Sequence, residues 1–250
     1  MASLTTETRC DGFLGGGLRL AQPVHGYRAG TDAVMLAAAC PACVGQSVLE
    51  VGCGVGAAVL CLGYRVPGLA LTGLEVQPAY AALARENAAR NGLPLQVVQG
   101  DLLAMPPGLR GESFDHVLMN PPFFVTGTVA PDSGRGIARH EAVPLRIWID
   151  AGLRRLNPGG WLTLIHKAER LASILAALEG RAGDMRVLPI AARAGRPAGR
   201  VIVVARKGAR GPLALLAPFV LHALPDHASD AEDLTPAAQR VLRHGGAILL

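Results

Sequence analysis

Short apolar runs of strand length recur along the chain, most closed by glycine, proline or an acid, and longer segments with helical spacing separate them. Val48 to Val51, Leu71 to Glu75, Gln96 to Asp101, Phe114 to Met119 and Trp161 to His166 read as strands. Helices are expected through apolar Ala57 to Leu62, from about Pro144 to Leu156 and from about Ala168 to Glu179. Another is bracketed by Pro78 in its first turn and Asn91-Gly92 at its end. Alternation of this kind predicts an α/β fold, a doubly wound, mostly parallel sheet with helices on both faces. Asn157-Pro158-Gly159-Gly160 is expected to turn into the strand at Trp161. Met185 to Ile190 and Arg200 to Arg206 flank the Gly/Pro-rich Ala192 to Gly199, which suits an antiparallel hairpin with a long loop.

Asn120-Pro121-Pro122-Phe123 follows the fourth of these strands directly, at the rim where open α/β sheets bind ligands. The Asn side-chain carbonyl and a proline main-chain carbonyl can both accept hydrogen bonds from one amino group, while the ring stacks on a planar substrate. Proline lacks an N–H, and its locked φ stiffens that geometry. An ordinary proline-rich turn could share this composition, so the loop draws its meaning from what stands upstream. Gly52-Cys53-Gly54-Val55-Gly56 links a strand to a helix and, with Ala57, loosely fits the dinucleotide fingerprint. The loop alone leaves NAD and S-adenosyl-L-methionine both open. Glu50 favours the second, because a carboxylate there would repel a pyrophosphate but suits the ammonium of a methionine moiety. Glu75, about 20 residues past the glycines, is placed to hold ribose hydroxyls. Asp101 ends the third strand and suits the adenine amino group. An acid after a strand is commonplace; the ordered set Glu50, Glu75, Asp101 and Asn120 carries the reading. Cys53, Val76 and Leu102 beside these residues, with Thr31, complete the expected cofactor site.

Ahead of the first such strand lies Gly12 to Cys43, in which Gly26 to Ala37 reads as a turn feeding a helix capped by Thr31 or Asp32. Two roles fit it: a capped helix covering the sheet edge, or a flap over the methionine end of the cofactor with Arg28 nearby. At 250 residues and 50% hydrophobic content, without repeats or a clear linker, the chain is expected to form one domain. Its parts are an extension (1–46), a catalytic core (47–222) and a tail (223–250). Met1 to Arg9 is polar, and no apolar run approaches the ~20 residues of a membrane span. Five cysteines form no disulfide framework, which points to reduced thiols and the cytoplasm. Cys40-Pro41-Ala42-Cys43 stands without a second ligand pair, so no metal is expected.

The net charge of +5 rests almost wholly on arginine. Arg181, Arg186, Arg193, Arg196, Arg200, Arg206, Lys207 and Arg210 crowd one stretch against a single acid, Asp184. If the hairpin forms, several would line one rim and suit RNA phosphates; a merely solvated rim fits the same charges. Two Trp and three Tyr offer little for a long stacking track, so a flipped single base is the expected target.

Gly26 to Leu36, the Glu50–Gly56 loop, Glu75, Asn120 to Phe123, Ala138-Arg139-His140-Glu141 and Arg196 to Val201 occur in this order. Together, from about Asp11 to His222, they resemble the bacterial valine-tRNA adenine-N6 methyltransferases. The resemblance implies a seven-stranded class I methyltransferase fold with an antiparallel last strand. It also implies S-adenosyl-L-methionine as donor and a tRNA adenine beside the anticodon as acceptor. By position, Asn120, Pro121, Pro122 and Phe123 become the target-amine site, and Glu50, Gly52, Gly54, Gly56, Glu75 and Asp101 the cofactor site. Arg28, Arg139, His140, Arg196 and Arg200 are expected on the tRNA side. Three positions depart from the family: Glu50 where Asp is usual, Phe123 for the more frequent Tyr, and Gly199 where Asn is common. The apolar end, Ala247 to Leu250, is also atypical. Release-factor glutamine methyltransferases share the acceptor loop but usually carry a helical N-terminal domain, for which the segment before Val48 leaves little room. Ribosomal-RNA guanine methyltransferases are a further alternative. A silent cofactor-binding subunit is another, although it would have no need of Asn120. No stable protein partner is expected.

Overall fold

In the computed structural model, which describes residues 7–123, 143–224 and 233–250, the apolar runs become strands of one large sheet. An antiparallel hairpin, β1 (Thr8–Phe13) and β2 (Leu18–Pro23), precedes it. The residue pattern ahead of Val48 predicts only a turn and a helix. β1 is mostly exposed and offers no buried alternation; β2 is buried because it docks on a helix far along the chain. α1 (Thr31–Ala39) follows, and its N-cap is Gly30 rather than Thr31 or Asp32, with no side-chain cap bond.

The main sheet then contains β3 (Ser47–Val51), β4 (Ala70–Glu75), β5 (Leu95–Gln99), β6 (Phe114–Met119), β7 (Leu156–Lys167), β8 (Ala182–Arg193) and β9 (Arg200–Lys207). Their spatial order is β5-β4-β3-β6-β7-β9-β8. The first five pair in parallel, while β9 runs antiparallel between β7 and β8. Two short strands extend the edge, β10 (Ala214–Leu215) and β11 (Phe219–His222), both parallel to β8. The sheet therefore has nine strands among the described residues rather than the expected seven. Pieces this short become strands only because β8 offers them an unpaired edge. The Asn157–Gly160 turn is likewise absorbed: it lies inside β7 as an irregularity, where the pairing with β6 shifts between Phe114 and His116.

Helices cover both faces, as parallel strands buried on two sides require. One core packs α1, α2 (Ala57–Arg65) and part of α3 (Pro78–Arg90) on Val48, Leu71 and Leu118. Beyond the one-turn α4 (Pro107–Gly111), the other packs α5 (Leu145–Arg155) and α6 (Leu171–Leu178) on Leu49, Val51, Val117 and Met119. Buried Asn87 of α3 ties the hairpin down. Its Oδ1 accepts from Ala21 N at 2.7 Å, and its Nδ2 donates to the carbonyls of Ala21 and Val55, each at 3.0 Å. In the tail, Thr235 caps α7 (Pro236–His244), and Ile248 N–H bonds the Ala38 carbonyl at 2.8 Å. No helix among the described residues is long and apolar enough to cross a membrane.

Candidate functional site

The chain passes from β3 to β4 and β5 on one side, then returns to β6 on the other, so the topological switch point lies between β3 and β6. Val51 pairs with Met119 across that boundary. The glycine loop after β3 and the Asn120 loop after β6 therefore leave the sheet side by side.

Gly52, Gly54 and Gly56 have φ of 72°, 55° and 83°, a left-handed backbone that side chains resist. Gly52 has a second reason to be glycine: a Cβ there would lie 2.8 Å from the Trp148 ring. Gly52 and Cys53 N–H both bond the Leu74 carbonyl, at 2.8 and 2.9 Å. Buried Glu75 clasps the same loop, accepting from Gly54 N at 2.8 Å with Oε2 and from Gln77 N at 2.9 Å with Oε1. Glu50 lies beneath α2, where Oε2 accepts from Val59 N at 2.9 Å. Burial, with the nearby charge of Glu75 adding to it, pushes the Glu50 carboxyl up to about 8, against the Val59 N–H. Asp101 follows β5, and its Oδ1 turns back to Leu103 N at 2.8 Å beside buried Leu102; Val76 is half-buried next to Glu75.

Asn120 donates from Nδ2 to the Tyr27 hydroxyl at 3.4 Å, while its buried Oδ1 has no hydrogen-bond partner among the described residues. Such an orphan acceptor costs about 1–3 kcal/mol, so it marks a place kept for something to arrive. Pro121 is buried and Pro122 exposed. The Phe123 ring meets the His166 ring edge-on, 5.0 Å between centroids at 77°, and carries the Arg200 guanidinium 4.7 Å over its centroid.

Sequence reasoning missed two residues at this rim. Tyr27 stands at Asn120 and would lie 4.0 Å from a Cβ on Gly54; its carbonyl accepts from the Tyr80 hydroxyl at 3.1 Å. The N-terminal turn thus does reach the site, through an aromatic ring between polar residues that periodicity cannot flag. His166, at the carboxyl end of β7, looked like the last residue of an apolar run. Arg28 points away, to Asp11 at 2.6 Å, and with Thr31 borders a separate hollow alongside Gln22 and Leu242. Arg139 and His140 lie outside the described residues.

The basic stretch does not form one rim. Arg196 and Arg200 sit at the β8–β9 turn, level with Lys167, whereas Arg206 pairs with Trp161 six residues back, roughly 20 Å away. There Arg186 and Arg206 both stack on Trp161. Arg200 is also committed to a carboxylate, with Nε 2.9 Å from Asp32.

The buried ionisable groups set an expected pH profile of stability. His116 and His166 are pushed down to about 4 by burial, so the unfolded chain, near 6.5, binds more protons below that pH. Their stabilisation is complete above 6.5 and is lost as pH falls towards 4. Glu50 acts oppositely: folded near 8 and unfolded near 4.5, it removes stability as pH rises through that window. Each contributes a limiting slope of about 1.4 kcal/mol per pH unit. Urea midpoints should therefore peak near pH 6.5, and Glu50→Gln should flatten the decline from 6.5 to 8. An unchanged decline in that variant would remove Glu50 as its source.

Comparison with known proteins adds to this geometry. The methyltransferase small domain family matches residues 29–188. A tRNA1(Val) (adenine(37)-N6)-methyltransferase of Porphyromonas gingivalis is 35% identical over 177 residues, 65% of this chain and 69% of that protein. A release factor glutamine methyltransferase of Deinococcus radiodurans is 43% identical over 79 residues, 32% of this chain and 27% of that protein. The crystal structure of a predicted O-methyltransferase from Agrobacterium tumefaciens superposes with a TM-score of 0.69 at 28% identity, covering 87% of this chain and 98% of that one.

Proposed function

The chain belongs to the methyltransferase small domain family, and we propose that it methylates the exocyclic amine of an adenine beside the anticodon of valine tRNA, in the cytosol. The observation that carries this reading is the orphaned, buried Oδ1 of Asn120 at the switch point, next to the glycine loop. S-adenosyl-L-methionine, the donor, supplies an electrophilic methyl on a sulfonium when bound. The residues present fit it. Left-handed Gly52, Gly54 and Gly56 let a ligand approach the backbone, and Glu75, which clasps that loop, would hold ribose hydroxyls. Glu50, buried under α2 on the Val59 N–H with its pKa up to about 8, would hold an ammonium only after losing its proton.

Adenine's exocyclic nitrogen is a poor nucleophile because its lone pair is delocalised into the ring. Acceptors at Asn120 Oδ1 and the Pro121 carbonyl would draw its two hydrogens out of the ring plane and localise that pair, an effect greatest in the transition state. Two acceptors match an NH₂ group, whereas a hydroxyl could use only one. Phe123 would stack on the flipped base, and the proline pair would fix its distance from the acceptors, so that the amine is aligned for in-line attack. No side chain with a tuned pKa is required.

A release-factor glutamine amide poses the same chemical problem, and a short stretch of similarity keeps that reading as the second. The tRNA relative matches over a far larger share of both chains, which favours the adenine. Labelled methyl donor, incubated with total tRNA, total rRNA and release factor, should deliver label to tRNA as N6-methyladenine. Label confined to the release factor or to rRNA guanine would overturn the assignment.

Arg196, at the tip of the β8–β9 turn, is the proposed phosphate contact. Arg196→Ala should raise the KM for tRNA and reduce the salt slope of binding by about 0.9 for a duplex contact or 0.7 for a single strand. Superimposable salt plots for variant and wild type would place this arginine off the RNA.

A further inference from the structure

We infer that His166 and Arg200 are positioning residues of the acceptor loop, holding Phe123 so that one ring face alone is open to the target base. The inference rests on the reading of Asn120–Phe123 as the target-amine site.

Proline rings stiffen the loop only as far as Pro122. The direction of the Phe123 ring must be set by its neighbours, and two of them come from adjacent strands. His166 leaves the carboxyl end of β7 and is 4% exposed. Its Nδ1 accepts from Lys167 N at 2.9 Å, which leaves the proton on Nε2, and the imidazole also hydrogen-bonds the Pro122 main chain. The same ring abuts the edge of Phe123. One buried imidazole therefore braces both the backbone of Pro122 and the side chain of Phe123. Burial and the charge of Arg170 keep it neutral, with its pKa down to about 4, so this arrangement persists through the neutral range.

Arg200 acts on a face. It starts β9, opposite Lys167, and lays its guanidinium over the Phe123 ring at 4.7 Å. A ring has two faces, and this contact occupies one of them. The guanidinium is itself fixed, by Asp32 at 2.9 Å and by the Gly199 carbonyl at 3.2 Å. A guanidinium already matched to a carboxylate and an aromatic face is poorly free to bind a phosphate. Asp32 lies in the first turn of α1, and Tyr27, just upstream, touches Asn120. The N-terminal segment thus grips the acceptor loop at both its first and its last residue.

The test separates positioning from RNA binding. Arg200→Gln and His166→Ala should each lower the single-turnover rate at saturating tRNA roughly ten- to a hundred-fold, since small misplacements of reacting groups cost about that much. The tRNA affinity should stay within a few-fold of wild type, with the same salt slope. Arg200→Lys keeps a cation over the ring and should recover most of the rate; His166→Gln keeps a donor towards Pro122 and should recover part. If Arg200→Gln instead leaves the saturating rate intact and lowers the salt slope by about 0.7–0.9, Arg200 is a phosphate ligand and the inference fails. An undiminished rate in His166→Ala would remove that residue from the proposal.

A substrate-free readout keeps this separate from the assignment of tRNA. With 4-fluorophenylalanine placed at position 123 of the full chain, the fluorine resonance should shift and broaden in Arg200→Gln and His166→Ala. That change in a protein that methylates no tRNA would leave the positioning role standing and overturn only the substrate. An unmoved resonance would overturn the role, whatever is methylated.

Discussion

Replacing Asn120 with alanine should lower the methyl-transfer rate at saturating tRNA by about 10²–10³, the usual consequence of removing one aligned polar group from such a site. S-adenosylmethionine affinity should stay within a few-fold, because the contacts of the glycine loop are made by other residues. Stability should respond in the direction opposite to activity. Asn120 Oδ1 is buried without a partner among the described residues, and the bond from Nδ2 to the Tyr27 hydroxyl is long at 3.4 Å. Deleting an unsatisfied acceptor relieves a desolvation cost of about 1–3 kcal/mol, which offsets the lost side-chain contacts. Asn120→Ala should therefore melt no lower than wild type while losing nearly all turnover. A residue that costs stability and carries activity is the expected signature of a functional group. Near-normal turnover would sink the proposed mechanism.

Glu75→Ala should produce the largest loss of cofactor affinity. Both carboxylate oxygens hold backbone N–H groups of the two turns that shape the crevice, Gly54 and Gln77. Hydrogen bonds to a charged group are each worth about 1.5–3 kcal/mol, so losing the pair should weaken S-adenosylmethionine binding by at least about ten-fold. Stability should fall as well, by a few kcal/mol on the same scale. Glu75→Gln retains an acceptor for one turn and should lie between. Calorimetric titration together with urea unfolding reads both effects. Loss of stability with unchanged affinity would leave Glu75 as a brace for the loop and remove it from ribose binding.

The strands, the order in which they alternate with helices, and the rim at which chemistry gathers were decided locally. A parallel strand buried on both faces must be a short apolar run, and Val48 to Val51 or Phe114 to Met119 can be little else. Gly52, Gly54 and Gly56 are likewise legible because the backbone angles they adopt exclude most other residues. Asn120 to Phe123 could be placed because its strand ends at Met119.

What the chain kept hidden depends on partners distant in sequence. β2 is buried by Asn87 on α3, 66 residues from its partner Ala21, and nothing within Leu18–Pro23 announces that helix. Asp32 has the composition of a helix cap, yet its carboxylate meets Arg200, 168 residues away, while Gly30 takes the capping position. The arginines that crowd one stretch separate because β8 and β9 are long enough to carry them to opposite ends of the sheet. Tyr27 and His166 carry no periodic signal at all. Hydrophobic burial acts through spacing along the chain and can be read there. A hydrogen bond or a stacked ring needs two groups within a few ångströms in a set direction, and only the packed sheet brings those groups together.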